Sequence, residues 1–194
     1  LAAARAVTGH HLVRVDTSLA TIAFARPGVA LDLGGIAKGH ALDAARAAMT
    51  AAGATAGLLD LGGNLLVFGA GPGEVGIVAP DDPQAVVATV TVTGGAVATS
   101  GQYERYVEDG EGRWGHILDP RRGLPVPAEG SVTVVAPSGE LADALATAAF
   151  VLGPRDGAAF VARWPGASCV FVVPAPEGGW AVLRTAGPGP ARSP

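Results

Sequence analysis

The chain has 194 residues, 49% of them hydrophobic and only 15% charged, with a formal net charge of −4. That is enough apolar material for one sizeable core, and the absence of a dense Lys/Arg cluster argues against a nucleic-acid partner, whose phosphates require a basic patch. A single cysteine, Cys169, excludes an intrachain disulfide, and no apolar run reaches the roughly 20 residues of a membrane span.

In chain order, His11–Asp16 and Thr21–Ala25 read as short strands around a polar turn, and Val29–Leu33 as a third that runs into a glycine loop. Lys38–Ala52 places Ala41, Leu42, Ala45, Ala48 and Met49 at helical spacing, with Gly53 as the stop. Gly57–Leu61 and Leu65–Gly69 look like a buried strand broken at Gly62-Gly63-Asn64. Glu74–Ala79 is a strand closed by Pro80 and a polar loop, Asp81 to Pro83. Ala85–Val92 and Gly95–Thr99 are strands on either side of a glycine turn. Gln102–Val107 and Trp114–Leu118 flank an acidic glycine turn and read as a hairpin, and Pro120–Pro127 is irregular. Ser131–Ala136 is a strand, Gly139–Leu152 a helix, and Ala158–Arg163 a short third helix stopped by Pro165. Ser168–Val173 and Trp180–Thr185 close the pattern as a hairpin. Short strands, hairpin connections and two or three packed helices predict an α+β fold with a largely antiparallel sheet. Residues 1–186 read as one domain and the Pro/Gly-rich 187–194 as a disordered tail.

Four segments offer chemistry. Residues 31–40 read Leu-Asp-Leu-Gly-Gly-Ile-Ala-Lys-Gly-His, so Asp32, the Gly34-Gly35 pair and Lys38 sit just before or within a helix start. Glycine lets backbone approach a ligand closely, and a helix start offers free N–H groups to an anion. The same run also reads as a tight loop that merely needs glycine. Asp143 and Thr147, four residues apart on a predicted helix, share one face. A carboxylate and a hydroxyl projecting together suit a hard cation such as Mg²⁺. They equally suit a helix-start aspartate and a threonine bonded back to the preceding turn. His116 and Asp119, in Trp-Gly-His-Ile-Leu-Asp-Pro, lie at a strand end. A histidine there can serve as a general base or simply bond the turn. Thr99-Ser100-Gly101-Gln102-Tyr103-Glu104-Arg105 offers hydroxyls to a phosphate or ribose, or an ordinary turn; Ser100 lacks the Gly-x-Ser-x-Gly setting of a hydrolase nucleophile.

The order of these blocks is more specific than any one of them. Leu-Asp-Leu-Gly-Gly-Ile-Ala-Lys-Gly is followed by Leu-Gly-Gly-Asn, Thr-Ser-Gly-x-Tyr-Glu-Arg and Gly-His-Ile-Leu-Asp-Pro-x-x-Gly-x-Pro. Ser-Val-Thr-Val-Val-Ala-Pro and Ala-Asp-Ala-Leu-Ala-Thr-Ala then close the series. From about Val13 to Trp180 the chain resembles the FAD:protein FMN transferases, the ApbE-type family formerly labelled thiamine biosynthesis lipoproteins. The resemblance implies Mg²⁺-dependent cleavage of the FAD pyrophosphate and transfer of FMN, through its phosphate, to a Thr or Ser hydroxyl of an acceptor protein, with AMP released. Some relatives instead hydrolyse FAD to FMN and AMP, and a non-catalytic flavin-binding scaffold is a further alternative. By position, the resemblance implies Asp143, the Thr147 hydroxyl and the carbonyls of Gly35 and Ala146 as metal ligands. It implies Asp32, Lys38 and Ser131 as FAD contacts and His116 as the catalytic histidine. Family members extend further at the N-terminus, by roughly a hundred residues in a domain-sized chain, and usually act outside the cytoplasmic membrane. Gln102 stands where many relatives carry an acidic residue, and His40 where Tyr or Phe is commoner.

Overall fold

The longest alternating apolar runs build a six-stranded sheet, in a computed structural model that describes residues 2–69, 71–102, 106–110, 112–126 and 129–185. Before it come a one-turn helix α1 (Ala2–Arg5), a 3-10 turn at His10–Leu12, and the separate hairpin of β1 (Val13–Asp16) and β2 (Thr21–Phe24). The helix α2 (Ala37–Ala51) leads into β3 (Gly57–Leu61) and β4 (Asn64–Phe68). A second hairpin, β5 (Gly73–Ala79) and β6 (Asp82–Val92), precedes β7 (Gly95–Gly101). Two short excursions follow: β8 (Tyr106–Asp109) with β9 (Gly112–Gly115), then β10 (Leu118–Asp119) with β11 (Leu124–Pro125). The chain then enters β12 (Ser131–Ala136), α3 (Gly139–Val161), β13 (Ser168–Pro174) and β14 (Trp180–Arg184).

The sheet order is β14-β13-β12-β7-β4-β3, antiparallel throughout. Side chains alternate across its two faces. Leu66, Ala96, Ala98, Val132, Val134, Cys169 and Phe171 meet α2 and α3 through Leu42, Ala142, Leu145 and Ala149. Val67, Val97, Val170 and Val172 point the other way and are covered by Ile77, Val90 and Val92 of the β5–β6 hairpin. The result is three layers: helices, sheet, hairpin. Each fully buried Val or Leu contributes about 1.5–3 kcal/mol relative to exposure, so a sheet buried on both faces fixes the frame for whatever its ends carry.

The α+β, largely antiparallel architecture is as the sequence predicts. Several local expectations are not. Residues 29–33 form no strand, since Leu31 and Leu33 are exposed and no strand pairs with them among the described residues. His11 and Leu12 belong to the 3-10 turn, and the strand starts at Val13. Gly57–Leu61 and Asn64–Phe68 are two strands of one hairpin, not a broken strand. Gly62 and Gly63 have φ of 58° and 82°, the left-handed pair that a tight two-residue hairpin turn requires. Residues Asp82 and Pro83, expected in a loop, already belong to β6, part of a two-stranded ribbon where proline is tolerated at an edge. The early hairpin strand lies at Tyr106–Asp109, beyond its expected start at Gln102, and the expected irregular stretch contains the small β10–β11 pair. The third helix starts earlier than its apolar spacing suggests: Gly153 breaks α3 at φ 80°, and Pro154 begins a second helical segment, a position where its missing N–H costs nothing. Tyr103, Glu104, Arg105, Pro127 and the tail 187–194 lie outside the described residues. Among the described residues, no helix is long and apolar enough to cross a membrane.

Candidate functional site

Two helix starts cross at a pair of glycines. A Cβ on Gly39 would overlap the Gly139 carbonyl and lie 2.8 Å from Asp143 Cβ; a Cβ on Gly139 would overlap the Gly39 carbonyl in turn. Each helix then caps the other. The Gly39 N–H, in the first turn of α2, donates to Asp143 Oδ2 at 2.9 Å. Asp43 of α2 accepts from the N–H groups of Gly139 (3.0 Å) and Glu140 (2.9 Å) at the start of α3. A helix start leaves N–H groups without intrahelical partners, and its dipole favours negative charge. Ser138 Oγ adds a local cap by accepting from the Leu141 N–H at 3.3 Å. Asp143 is 4% exposed and lies against the starts of both helices. Among the described residues only its Oδ2 is engaged, so Oδ1 keeps its lone pairs for another partner.

One turn further along α3, Thr147 Oγ1 lies 3.3 Å from Ser100 Oγ on β7. It also faces the glycine loop: a Cβ on Gly35 would sit 3.2 Å from Thr147 Oγ1. The loop that contains Gly35 leads into α2, and α2 is tied to Asp143 through Gly39. The crossing therefore gathers Gly35, Asp143 and Thr147 at one end of the sheet. Ala146 is fully buried on α3, and its carbonyl belongs to the helical hydrogen-bond ladder. No three His, Cys, Asp or Glu side chains cluster as a metal site among the described residues. The donors on hand are one carboxylate, one hydroxyl and backbone carbonyl. That oxygen-only set fits Mg²⁺, which takes one or two carboxylates and completes its shell with water and substrate phosphate. It does not fit the nitrogen and sulfur set of zinc.

The remaining candidates fall around this centre or away from it. Lys38 is half-buried in the first turn of α2. Asp32 is exposed, and its Oδ1 accepts from the Gly34 N–H at 2.7 Å, an Asx turn that shapes the glycine loop. His116 is exposed between β9 and β10. Its neighbour Ile117 is clamped by the Gln102 amide. Oε1 accepts from the Ile117 N–H at 3.1 Å, while Nε2 donates to the carbonyls of Ile117 (3.1 Å) and Val126 (3.0 Å). Gln102 follows β7 directly, so the His116 segment is tethered to the strand end that carries Ser100. A carboxylate in place of Gln102 would have no donor for the two carbonyls. Further on, Asp119 holds Arg121 through two side-chain bonds of 2.9 Å. The Arg121 guanidinium keeps the Asp119 carboxyl below its ordinary value. Ser131 is not brought into the cluster. It alternates with Val132 and Val134, which face the helices, and so lies on the opposite face of the sheet, paired in register with Gly101. His40 lies 3.9 Å from Glu140 at the exposed rim of the helix crossing.

The capping pair escaped the sequence reading, although a signal for it exists. Gly-His-Ala-Leu-Asp (39–43) and Gly-Glu-Leu-Ala-Asp (139–143) share one spacing, a glycine four residues before an aspartate, at two helix starts. The clamping role of Gln102 had no such signal, because its partners lie 15 and 24 residues away.

Comparison with known proteins matches the sequence and the fold to a family. The family model described as ApbE matches residues 1–171. The chain is 37% identical to an FAD:protein FMN transferase of Klebsiella pneumoniae over 86% of its own length and 53% of that protein. It is 38% identical to one from Treponema pallidum over 79% of its length and 46% of that protein. The chain thus spans about half the length of these curated relatives. Its fold superposes on the ApbE protein of Thermotoga maritima with a TM-score of 0.83 and 36% identity, covering 95% of this chain and 60% of that one. The apo flavinyl transferase ApbE of Pseudomonas stutzeri gives 0.76 and 33%, covering 95% and 57%. The residues gathered where α2 and α3 cross are thus set in a shared fold, and the chain belongs to the ApbE family.

Proposed function

We propose that this protein transfers FMN from FAD to a Thr or Ser hydroxyl of an acceptor protein, with Mg²⁺ held at the α2–α3 crossing. The observation that carries the reading is the convergence of Gly35, Asp143 and Thr147 on one point, with one Asp143 oxygen already fixed by Gly39 and the other available. Relatives with this sequence pattern bear the name FAD:protein FMN transferase. Asp143 Oδ1, Thr147 Oγ1 and the Gly35 carbonyl would hold the ion; Ala146 would have to share a carbonyl already used by its helix. When bound, such an ion neutralises charge on diphosphate oxygens and polarises the P–O bond to be broken.

The chain's own residues do the rest. Lys38 binds the negative charge of the diphosphate beside the glycine loop, whose Gly34, Ile36, Ala37 and Gly39 N–H groups are taken up within the protein. Asp32 keeps that loop in its Asx turn. His116 takes the proton of the acceptor hydroxyl as its oxygen attacks the FMN phosphorus. The bond from that phosphorus to the bridging oxygen breaks, and AMP leaves with the electron pair. The product is a phosphodiester between FMN and the acceptor. We place the reaction on the extracytoplasmic side of the cell, a reading that rests on the family resemblance and is checked by cell fractionation.

The test mixes the protein with FAD, Mg²⁺ and a threonine-bearing acceptor peptide. Flavin fluorescence on the peptide, with equimolar AMP, is the expected result. Free FMN with an unlabelled peptide would make the protein an FAD pyrophosphatase, and unchanged FAD would make it a flavin-binding scaffold. His116→Ala should lower the transfer rate by about 10²–10⁴-fold, the usual range for a general base, and leave FAD affinity within a few-fold of wild type. Lost affinity with normal turnover at saturation would contradict the role of His116.

A further inference from the structure

Asn64 is 2% exposed, and its Nδ2 has no hydrogen-bond partner among the described residues. A buried donor left unmatched costs about 1–3 kcal/mol, so its setting matters. Asn64 opens β4, two residues before Leu66, whose side chain meets the helices; Asn64 therefore faces the helix side of the sheet. The β4–β7 register pairs Leu65 with Val97 and Leu66 with Ala96. Carried one residue further, it sets Asn64 opposite Ala98, on the same face as Ser100, the residue that touches Thr147. The direction of α2 gives the same answer independently. A Cβ on Gly57, at the far end of the β3–β4 hairpin, would lie 3.6 Å from Met49 Cε near the end of α2. The start of α2, with the Gly35 loop, thus lies over the Asn64 end.

The geometry points to Asn64 as a substrate-contacting residue whose amide donates to a phosphoryl oxygen of the metal-bound dinucleotide, at the floor of the site formed by Gly35, Thr147 and Ser100. The unmatched atom is the N–H donor, which suits an anion rather than a cation. The assignment rests on the flavin-transfer reading and adds a residue to it. Ser131, whose hydroxyl is also unpartnered among the described residues, faces away from α3 and is no part of this floor.

The test is calorimetric binding of FAD and, separately, inorganic pyrophosphate, each with Mg²⁺, to wild type, Asn64→Leu and Asn64→Asp. Leucine has a similar shape and removes the unmatched donor, so Asn64→Leu should melt within a few degrees of wild type or higher. Its affinity for both ligands should fall at least tenfold, which is about 1.4 kcal/mol. Asn64→Asp keeps the outline, loses the donor and adds a charge that repels a diphosphate, so its affinity should fall further. Should Asn64→Leu fail to fold, Asn64→Ala decides by the same measurement, since it too removes the donor and adds no charge. Unchanged affinity in a folded variant overturns the assignment. A loss for FAD with none for pyrophosphate overturns the phosphoryl contact. A wild type that binds no FAD overturns the flavin reading itself, and this inference with it.

Discussion

Asp143 ties the two helix starts together through one oxygen and leaves the other toward Thr147. Its Oδ2 accepts the Gly39 N–H in the first turn of α2, and its own place near the start of α3 puts it where helix dipoles favour negative charge. From sequence, the metal-ligand and helix-start readings of Asp143 compete; in the structure the helix contact takes only Oδ2, so the two readings are compatible. Asp119 is the simpler case. Its three bonds to Arg121, one from the backbone N–H and two from the guanidinium, and the resulting lowered pKa make it a local tie in the β10–β11 turn. A carboxyl with a lower pKa in the folded state stabilises the fold above its unfolded value, near 3.8, and that contribution fades as pH falls toward the folded value. An NMR titration should therefore place the Asp119 midpoint below 3.8 in wild type, and Arg121→Ala should move it up. Arg121 is largely exposed, so the loss of stability in neutral buffer should be small.

At the level of elements, the crossing of α2 and α3 is the joint on which the site depends. Asp43 satisfies two N–H groups at the start of α3, and no metal role is assigned to it. Asp43→Ala should cost about 0.5–2 kcal/mol, the range for loss of an N-cap, and lower Tm by a few degrees while Mg²⁺ still supports activity. A thermal melt and a Mg²⁺ titration check both halves. Gly39→Ala is different in kind. The added Cβ meets backbone rather than a flexible side chain, so the helices must part. Overpacking of this sort costs about 1–3 kcal/mol, and here it also draws the Gly35 loop away from Asp143 and Thr147, which stay together on α3. Metal affinity should fall more than stability accounts for; wild-type Mg²⁺ affinity in Gly39→Ala would show that the close crossing does not set the site. The sequence made α2 and α3 legible because their apolar spacing is helical. It could not give the crossing, because the two glycines lie far apart in the chain and only folding reveals that each needs the other's absence of a side chain. The same limit explains residues 29–33: an apolar alternation predicts a strand, but a strand also needs a neighbour, and neighbours are a property of the whole chain.

Across the whole molecule, the sheet order brings four separated segments to one end. The glycine loop before α2, the start of β4, the end of β7 and the first turns of α3 converge there, while the β5–β6 hairpin seals the opposite face. The ordered motifs are legible because each is a short run of residues contiguous in the chain. Their convergence is not, since it follows from antiparallel pairing between strands far apart in sequence. Ser131 illustrates the converse: one position's difference along β12 sends its side chain to the other face. If Asp143 holds a divalent cation, FAD turnover should require that ion. The most direct measurement is AMP release at saturating FAD, with and without Mg²⁺, for wild type and Asp143→Asn. Asparagine can still accept the Gly39 N–H, so the fold should hold. Wild type should release AMP only with Mg²⁺, and Asp143→Asn should fall by about 10²-fold or more, roughly 3 kcal/mol of transition-state stabilisation. Full AMP release in chelator, or from Asp143→Asn, would contradict the account.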